Sequence, residues 1–404
     1  MFQELVKEEI KRMKIKRIFI VAIITSFTLT GCWDQQELDF VFIVSGVGID
    51  KLEDGQIKLT LLSTYPKANK SSGSNLSSSP LDEFILISEK GEGMVDICSN
   101  ISKKLSRKLV FSQLEGIIIG EEMAKSGLEE VLDFFPRMPE IPMKAFITFS
   151  KGKAIDALSL KSYLEYNSVK KIDKLRDLNT ATKMYIKDFI YMINESGIQP
   201  CICVVGEYDI IGDSCKNNEK TVGVIGGAVF NEDKLIKFIG IKELKGIMIV
   251  KNKLRQNYIC VNADKLKKSG KVSGEITKVK TRVTPTIDNG EISIEIDIFM
   301  EANIIDSSAG LDFSEVKNIH YIENLYSKDI ENLVNDTIKY VKHNCGVDVF
   351  GFGTIIHGKY PKQWHSLYKD NWDELWKTIN INVNSKVKIK GTGFDNKSIM
   401  EKSN

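Results

Sequence analysis

Residues 271–305 read KVSGEITKVKTRVTPTIDNGEISIEIDIFMEANII, and this stretch indicates the fold class. From residue 292 to 298, isoleucine alternates with serine, glutamate and aspartate, which is the period of a half-buried β-strand. The Asp-Asn-Gly turn at 288–290 joins this strand to an earlier alternating stretch at 271–287. Apolar residues then recur at helical intervals from 313 to 344, which predicts one long helix.

In the rest of the chain, too, the predicted strands and helices come in blocks and do not alternate strictly as βαβα. We therefore expect an α+β fold of several domains, with mixed or antiparallel sheets, packed helices and the long helix in the C-terminal domain. The polar segment 215–220 is the best candidate for a domain boundary. It divides the chain into an N-terminal α+β region at 32–215, of one or two subdomains, and a C-terminal α+β domain at 221–395.

The N-terminus has the plan of an export signal, predicted here to span residues 1–31. A basic cluster precedes an apolar run at 18–28, and Leu29-Thr30-Gly31-Cys32 then matches the lipobox of bacterial lipoproteins. The run is too short for a bilayer-spanning helix, which needs about 20 residues. We expect cleavage before Cys32 and a diacylglyceryl group with an N-acyl chain on that residue, palmitate included. A plain secretory signal or an uncleaved anchor is the alternative, and translation starts at either Met1 or Met13.

Composition narrows the range of partners. The chain has 404 residues, with 56 Lys and Arg against 54 Asp and Glu, so no global basic field favours nucleic acid. Besides Cys32 there are six cysteines, whose disulfide state the sequence leaves open: Cys98, Cys201, Cys203, Cys215, Cys260 and Cys345. Two buried thiols are a better reading of Cys201-Ile202-Cys203 than a metal or redox site, and a disulfide to Cys215 stays possible.

No pattern of catalytic or metal-binding residues emerges. The four histidines are scattered, and neither a G-x-S-x-G elbow nor a phosphate-binding G-x4-G-K-[ST] loop occurs. We therefore expect no catalytic residue, no metal and no cofactor other than the lipid on Cys32. Trp372 and Trp376 lie one helical turn apart and are expected in the core.

Candidate interaction residues follow directly after the predicted lipid site. Because the lipid would fix which side of the protein meets the membrane, Trp33, Asp34 and Glu37 are expected to form a functional surface that contacts lipid headgroups or a partner.

Five motifs follow one another along the chain: Gly31-Cys32-Trp33-Asp34-Gln35-Gln36-Glu37-Leu38, Val47-Gly48-Ile49-Asp50, Asp348-Val349-Phe350-Gly351-Phe352-Gly353, Tyr360-Pro361-Lys362-Gln363-Trp364 and Asn371-Trp372-Asp373. In this order they resemble the Ger(x)C family, the C-subunit lipoproteins of bacterial spore germinant receptors. The chain departs from the family pattern at Lys245, where relatives commonly carry arginine before a glycine.

The resemblance implies a non-enzymatic subunit on the outer face of the spore inner membrane. It also implies two membrane-embedded partners, the A and B subunits, of which the B subunit resembles an amino-acid permease. Such an assembly senses small nutrients and triggers germination. Two other classes compete with this reading: an extracytoplasmic solute-binding lipoprotein of a transporter, which would have two similar lobes around a cleft, and a surface hydrolase.

Overall fold

The computed structural model describes residues 11–21, 40–65, 83–177, 182–210, 219–255, 257–266 and 268–393. Residues 11–21 form helix α1, in which every residue is exposed. Among the described residues, no helix is both long enough and apolar enough to cross a bilayer. Residues 18–21 of the predicted apolar run lie in α1, whereas residues 22–28 of the run and the lipobox at 29–32 lie outside the described residues.

An eight-stranded mixed sheet, here called the N-terminal sheet, organises the first half of the chain. Its strands are β2 (Gly46–Lys51), β3 (Ile57–Tyr65), β4 (Glu83–Gly91), β6 (Gly116–Ile119), β7 (Phe146–Ser150), β8 (Cys201–Asp209), β9 (Lys220–Asn231) and β10 (Lys234–Ile239). The order across the sheet is β10-β9-β8-β7-β6-β2-β3-β4. Strands β2, β6, β7 and β8 run parallel, and antiparallel pairs flank them on both sides.

Helices cover both faces of the N-terminal sheet. They are α2 (Met94–Leu105), α3 (Glu121–Ser126), α4 (Glu129–Arg137), α5 (Ala154–Ser159), α6 (Ser168–Asp177) and α7 (Ile186–Asn194). One core contains apolar residues of α2, α3, α4 and α7, and a smaller core on the other face contains those of α5 and α6. Glycines in β2 allow α5 and α6 to approach, because a Cβ at Gly48 would lie 2.5 Å from Leu158 Cδ1.

A short two-stranded ribbon stands beside this sheet. Strand β1 (Val41–Ile43) pairs in parallel with β5 (Lys108–Val110). Two sequence expectations are wrong here. The stretch 40–50, expected as one strand, is interrupted between β1 and β2. There the backbone N–H groups of Val44 and Ser45 donate to carbonyls of different neighbouring strands. Leu109, expected on the helix, lies instead in β5, because Ser106 adopts the left-handed conformation (φ 53°) and ends α2.

The second half of the chain forms a four-stranded sheet, the C-terminal sheet, ordered β11-β12-β13-β14. Its strands are β11 (Asn257–Leu266), β12 (Lys268–Asp288), β13 (Glu291–Ser307) and β14 (Asn380–Gly391). The predicted hairpin is confirmed, with Asn289 (φ 48°) and Gly290 (φ 86°) at its turn. The predicted long helix is α9 (Val316–Asn344), and it packs on this sheet with α8 (Ile241–Val250).

A run of short helical segments follows α9 and leads back to the edge strand β14. It comprises α10 (Phe352–Lys359), α11 (Pro361–Gln363), a π-turn (Trp364–Tyr368), a 3₁₀ turn (Lys369–Asn371) and α12 (Trp372–Thr378). The expected α+β class with mixed sheets and a long C-terminal helix is confirmed. Strands β9 and β10 belong to the N-terminal sheet, so that sheet continues beyond residue 215. The division into 32–215 and 221–395 stays a prediction.

Candidate functional site

The two halves of the protein meet where the loop after α9 touches the loop before β8. The Gln199 N–H donates to the main-chain carbonyl of Asp348 at 2.8 Å, and the Thr354 N–H donates to the carbonyl of Gly197 at 3.2 Å. We call this contact the Asp348 joint and define it by Gly197, Asp348, Gly351, Gly353 and Trp372. It ties the N-terminal sheet to the helices of the C-terminal half.

The Asp348 carboxylate organises the joint, because it is buried and receives four hydrogen bonds. Its Oδ1 accepts from the N–H groups of Phe350 at 3.0 Å and Gly351 at 2.8 Å. Its Oδ2 accepts from the Gly353 N–H at 2.9 Å and from Trp372 Nε1–H at 3.2 Å. One side chain therefore folds the whole Phe-Gly-Phe-Gly turn and fixes the start of α10.

A lysine adds positive charge near this carboxylate. Lys251, at the end of α8, donates from Nζ to the carbonyl of Val349 at 3.1 Å. Burial lowers the pKa of Lys251 to about 8, and burial raises the pKa of Asp348 to about 6. The hydrogen bonds to Asp348 and the charge of Lys251 act in the opposite direction and favour the carboxylate.

Two glycines let the backbones of the two halves touch. A Cβ on Gly353 would lie 2.5 Å from Gly197 Cα, and a Cβ on Gly197 would lie 2.8 Å from Gly353 Cα. Gly197 (φ 85°) and Gly351 (φ 81°) also adopt left-handed conformations that favour glycine. Close approach at Gly353 and backbone shape at Gly351 explain why this turn contains two glycines.

Three tryptophans close the joint. Trp364, Trp372 and Trp376 are all buried, so the sequence expectation of core packing for the last two is confirmed. The rings of Trp364 and Trp372 meet edge to face at 5.3 Å between centroids. Trp376 Nε1–H donates to the Gly346 carbonyl at 3.1 Å, so its polar atom is satisfied inside the core.

The joint provides backbone contacts between the two halves of the protein. Its one acidic group is occupied by four donors, and it presents no nucleophile. Cys201 and Cys203 are buried and form no disulfide, and burial raises the pKa of Cys201 to about 12. Within the part of the chain that the structure describes, no group of three or more His, Cys, Asp or Glu could hold a metal ion.

The candidate residues near the predicted lipid site cannot be placed on this framework. Leu29, Thr30, Gly31, Cys32, Trp33, Asp34 and Glu37 all lie outside the described residues, as does Cys215. The first described residue after them is Phe40, which is 65% exposed and precedes β1. The sequence motif containing Asp348 and Gly353 indicated the family, but it did not reveal that Asp348 is a buried acceptor. Gly197 carried no sequence signal at all.

Comparison with known proteins identifies the family. Residues 34–207 match the profile described as "Spore germination protein N-terminal domain", and residues 225–393 match "Spore germination B3/GerAC like, C-terminal". Spore germination protein KC of Bacillus subtilis (strain 168) is 29% identical over 94% of this chain and 96% of its own length. Spore germination protein B3 of the same organism is 24% identical over 93% of this chain and 98% of its own length.

A solved structure supports the fold. The crystal structure of the GerBC protein superposes with a TM-score of 0.55 at 21% identity, covering 88% of this chain and 99% of that one. The profiles together cover both halves of the chain; Gly197 of the Asp348 joint lies inside the first, and its other four residues lie inside the second. The chain therefore belongs to the GerAC-like family of spore germination proteins, the Ger(x)C family that its motifs resemble.

Proposed function

We propose that this chain is the lipid-anchored, non-enzymatic C subunit of a spore nutrient germinant receptor. The observation that carries the proposal is similarity over nearly the full length of both chains to spore germination protein KC. The lipobox ending at Cys32 supports attachment to the outer face of the spore inner membrane. The partners are the membrane-embedded A and B subunits, with which the chain triggers germination.

Acylation of Cys32 supplies the anchor in this proposal. Each buried acyl CH₂ contributes about 0.8 kcal/mol, so one chain gives marginal attachment and two or more hold a protein firmly. Seven residues, 33–39, connect Cys32 to Phe40, the first described residue of the folded body. Fully extended, they span at most about 25 Å. The folded body must therefore stay close to the bilayer and to subunits embedded in it.

The Asp348 joint supports a positioning role for the subunit. A body whose two halves are tied by backbone contact and a buried carboxylate can hold one surface at a fixed distance from another. We infer that the N-terminal half is placed by the lipid and that the joint transmits this placement to the C-terminal half. No reaction on a substrate is required for this role.

Deleting the chain is the direct test. Spores without it are expected to lose their response to particular nutrients while still germinating with non-nutrient triggers. Wild-type chain should restore the response, whereas Cys32→Ala should not, because it removes the acylated thiol. Nutrient-induced loss of optical density and membrane fractionation are the measurements. An unchanged response to every nutrient, in a strain without parallel receptors, would contradict the proposal.

Trp33 tests the predicted contact beside the anchor. Trp33→Ala is expected to leave the protein acylated and membrane-bound but to slow the nutrient response several-fold, because an interfacial aromatic is lost. Gln35→Ala, two residues further along the same segment, is the matched control and should respond normally. Immunoblots of spore membranes would report the amount of receptor. Full assembly and a normal response of Trp33→Ala would show that this contact is dispensable.

A further inference from the structure

Strand β4 forms one edge of the N-terminal sheet, and the pairing of its neighbour β3 shows which backbone groups of β4 face outward. The Leu52 N–H donates to the Gln56 carbonyl at 2.9 Å, in register with the β2–β3 ladder, so the even-numbered residues of β3 bond to β2. The odd-numbered residues of β3 therefore bond to β4, where their partners are also odd-numbered. The N–H and C=O groups of Phe84, Leu86 and Ser88 consequently point away from the sheet.

These outward backbone groups are unpaired. Within the described ranges, the N–H groups of Phe84, Leu86 and Ser88 donate to no other protein group. The next outward N–H, that of Lys90, lies 3.4 Å from the side-chain oxygen of its neighbour Glu89. A row of free donors and acceptors along an edge is a template for the pairing of a further strand.

The side chains of β4 make this edge apolar on both faces. Phe84, Ile85, Leu86 and Ile87 are consecutive apolar residues. Phe84 and Leu86 pack against the core that contains α5 and α6, and Ile87 packs against the core on the opposite face. None of the four is fully buried, and Ile85 is 41% exposed. A strand added beside β4 would cover these side chains and extend both cores.

Two other sheet edges carry protection that β4 lacks. Strand β10 contains two lysines and a register shift after Leu235. Two N–H groups of β14 donate to side chains of α9, to Ser327 Oγ at 2.9 Å and to Glu323 Oε1 at 3.0 Å. Residues 84–88 of β4 contain no lysine, no proline and no register shift. Charges, bulges and covering helices are the usual means by which an edge is closed to other strands.

A second copy of this chain does not fit beside β4, because helix α2 lies over the strand. A Cβ on Gly91 would lie 2.9 Å from Ile97 Cγ1, and Lys104 at the other end of α2 forms an ion pair with Glu89. Antiparallel two-fold pairing of two β4 strands would set them about 4.8 Å apart and bring the two copies of α2 similarly close. Packed helices need about 8–10 Å between their axes. The edge therefore suits a single extended strand without a helix above it.

The sequence between β3 and β4 is also unsuited to this place. Residues 66–82 are rich in serine and contain two prolines, but no β-branched and no aromatic residue. A strand that extends two cores needs apolar residues on both of its faces, and proline cannot complete the backbone pairing. These requirements indicate an apolar, proline-free segment of another protein.

The start of β4 lies at the end of the sheet that the tether reaches. Glu83 pairs with Tyr65 at the end of β3. Earlier in β3, Leu62 pairs with Gly46, the first residue of β2. Phe40 precedes Gly46 by six residues, which span at most about 20 Å. With the proposed anchor at Cys32, a segment that leaves the bilayer can reach this end of the edge.

We infer that the edge of β4 is a docking site for one extended apolar strand of a membrane-embedded partner subunit. The inference rests on the proposed function, which supplies the membrane and the partner. The backbone of the incoming strand pairs with Phe84, Leu86 and Ser88, and its side chains extend the two cores. The chain is thereby fastened to its receptor by addition of a strand to the N-terminal sheet.

Site-specific photo-crosslinking in spores identifies the occupant of the edge. The full chain carries the photo-reactive residue p-benzoylphenylalanine in place of Ile85, or in place of exposed Tyr258 on β11 as the control. We expect an adduct from position 85 with the A or B subunit, mapped by mass spectrometry to an apolar, proline-free segment, and none from position 258. An adduct with a second copy of the chain or with residues 66–82, equal adducts from both positions, or no adduct would overturn the inference.

A charge on the edge tests the same contact by affinity. Ile85→Lys places an ammonium group where the added strand packs. It should lower the amount of A or B subunit that co-purifies with the chain from detergent-solubilised spore membranes by at least about tenfold. Val95→Lys, at an exposed position in the first turn of α2, adds the same charge and should change the recovery less than about twofold. Thermal unfolding of both variants verifies that they fold, and equal recovery from the two would contradict docking at β4.

The proposed function and the docking site fail in different ways. If deletion of the chain abolishes the nutrient response but Ile85→Lys recovers the partner subunits as well as wild type does, the docking site is wrong and the proposed function stands. If the deletion strain responds normally in the absence of parallel receptors, the proposed function is wrong, and the docking site that rests on it falls as well.

Discussion

Gly353→Ala is expected to lower the free energy of unfolding by about 3 kcal/mol, because a single methyl group would overfill the Asp348 joint. The added Cβ would lie 2.5 Å from Gly197 Cα and 2.8 Å from both Trp364 Cη2 and Trp372 Cε2. One neighbour is backbone, and the other two are buried indole rings packed against each other. None can withdraw without opening the contact between the two halves.

Gly358→Ala provides a matched control within the same helix. A Cβ at Gly358 would meet no atom within 4 Å. Replacing a helical glycine by alanine in open space stabilises by up to about 1 kcal/mol. Urea unfolding followed by tryptophan fluorescence compares the two variants with the wild type, since all three buried tryptophans adjoin the joint. Equal stability of Gly353→Ala and Gly358→Ala would show that the glycine contact does not constrain the joint.

The features that could be predicted from sequence are those whose signal is local. The hairpin of β12 and β13 alternates over many residues, and α9 repeats its apolar positions over eight turns, so both were predicted. Short elements were predicted less well, because their secondary structure depends on tertiary contacts. Strand β5 has three residues and exists by pairing with β1, so nothing in its own sequence separates it from the preceding helix.

The Asp348 joint lay beyond sequence reasoning for a related physical reason. Its two sides, Gly197 and Gly353, are far apart in the chain, and no periodic pattern links them. The motif around Asp348 could be recognised as a family feature. The burial of the carboxylate depends on where Trp372 and Gly353 place their N–H groups, and only the folded chain brings these together.

Asp348→Asn is expected to lower the free energy of unfolding by about 4 kcal/mol, although the side chain keeps its size. Both oxygens of Asp348 accept two N–H groups each, so all four neighbouring partners are donors. Asparagine must place its NH₂ group against one pair, which loses two hydrogen bonds and leaves two buried donors unsatisfied. Each unsatisfied donor costs about 1–3 kcal/mol. Loss of the carboxylate also leaves Lys251 without its nearby negative charge.

Asp50→Asn is the matched control, because Asp50 is also buried but, within the described ranges, each of its oxygens accepts one N–H: Ala154 N–H at 2.6 Å and Ile155 N–H at 3.2 Å. Asparagine at this position can keep one of these hydrogen bonds. The free energy of unfolding should therefore fall by only about 1–2 kcal/mol, as expected for loss of a hydrogen bond at the start of a helix. Urea unfolding of both variants gives the comparison. If Asp348→Asn lowers the free energy of unfolding no more than Asp50→Asn does, the four hydrogen bonds to Asp348 do not stabilise the joint together. The joint would then be held by the glycine contact and the tryptophans, and not by the buried carboxylate.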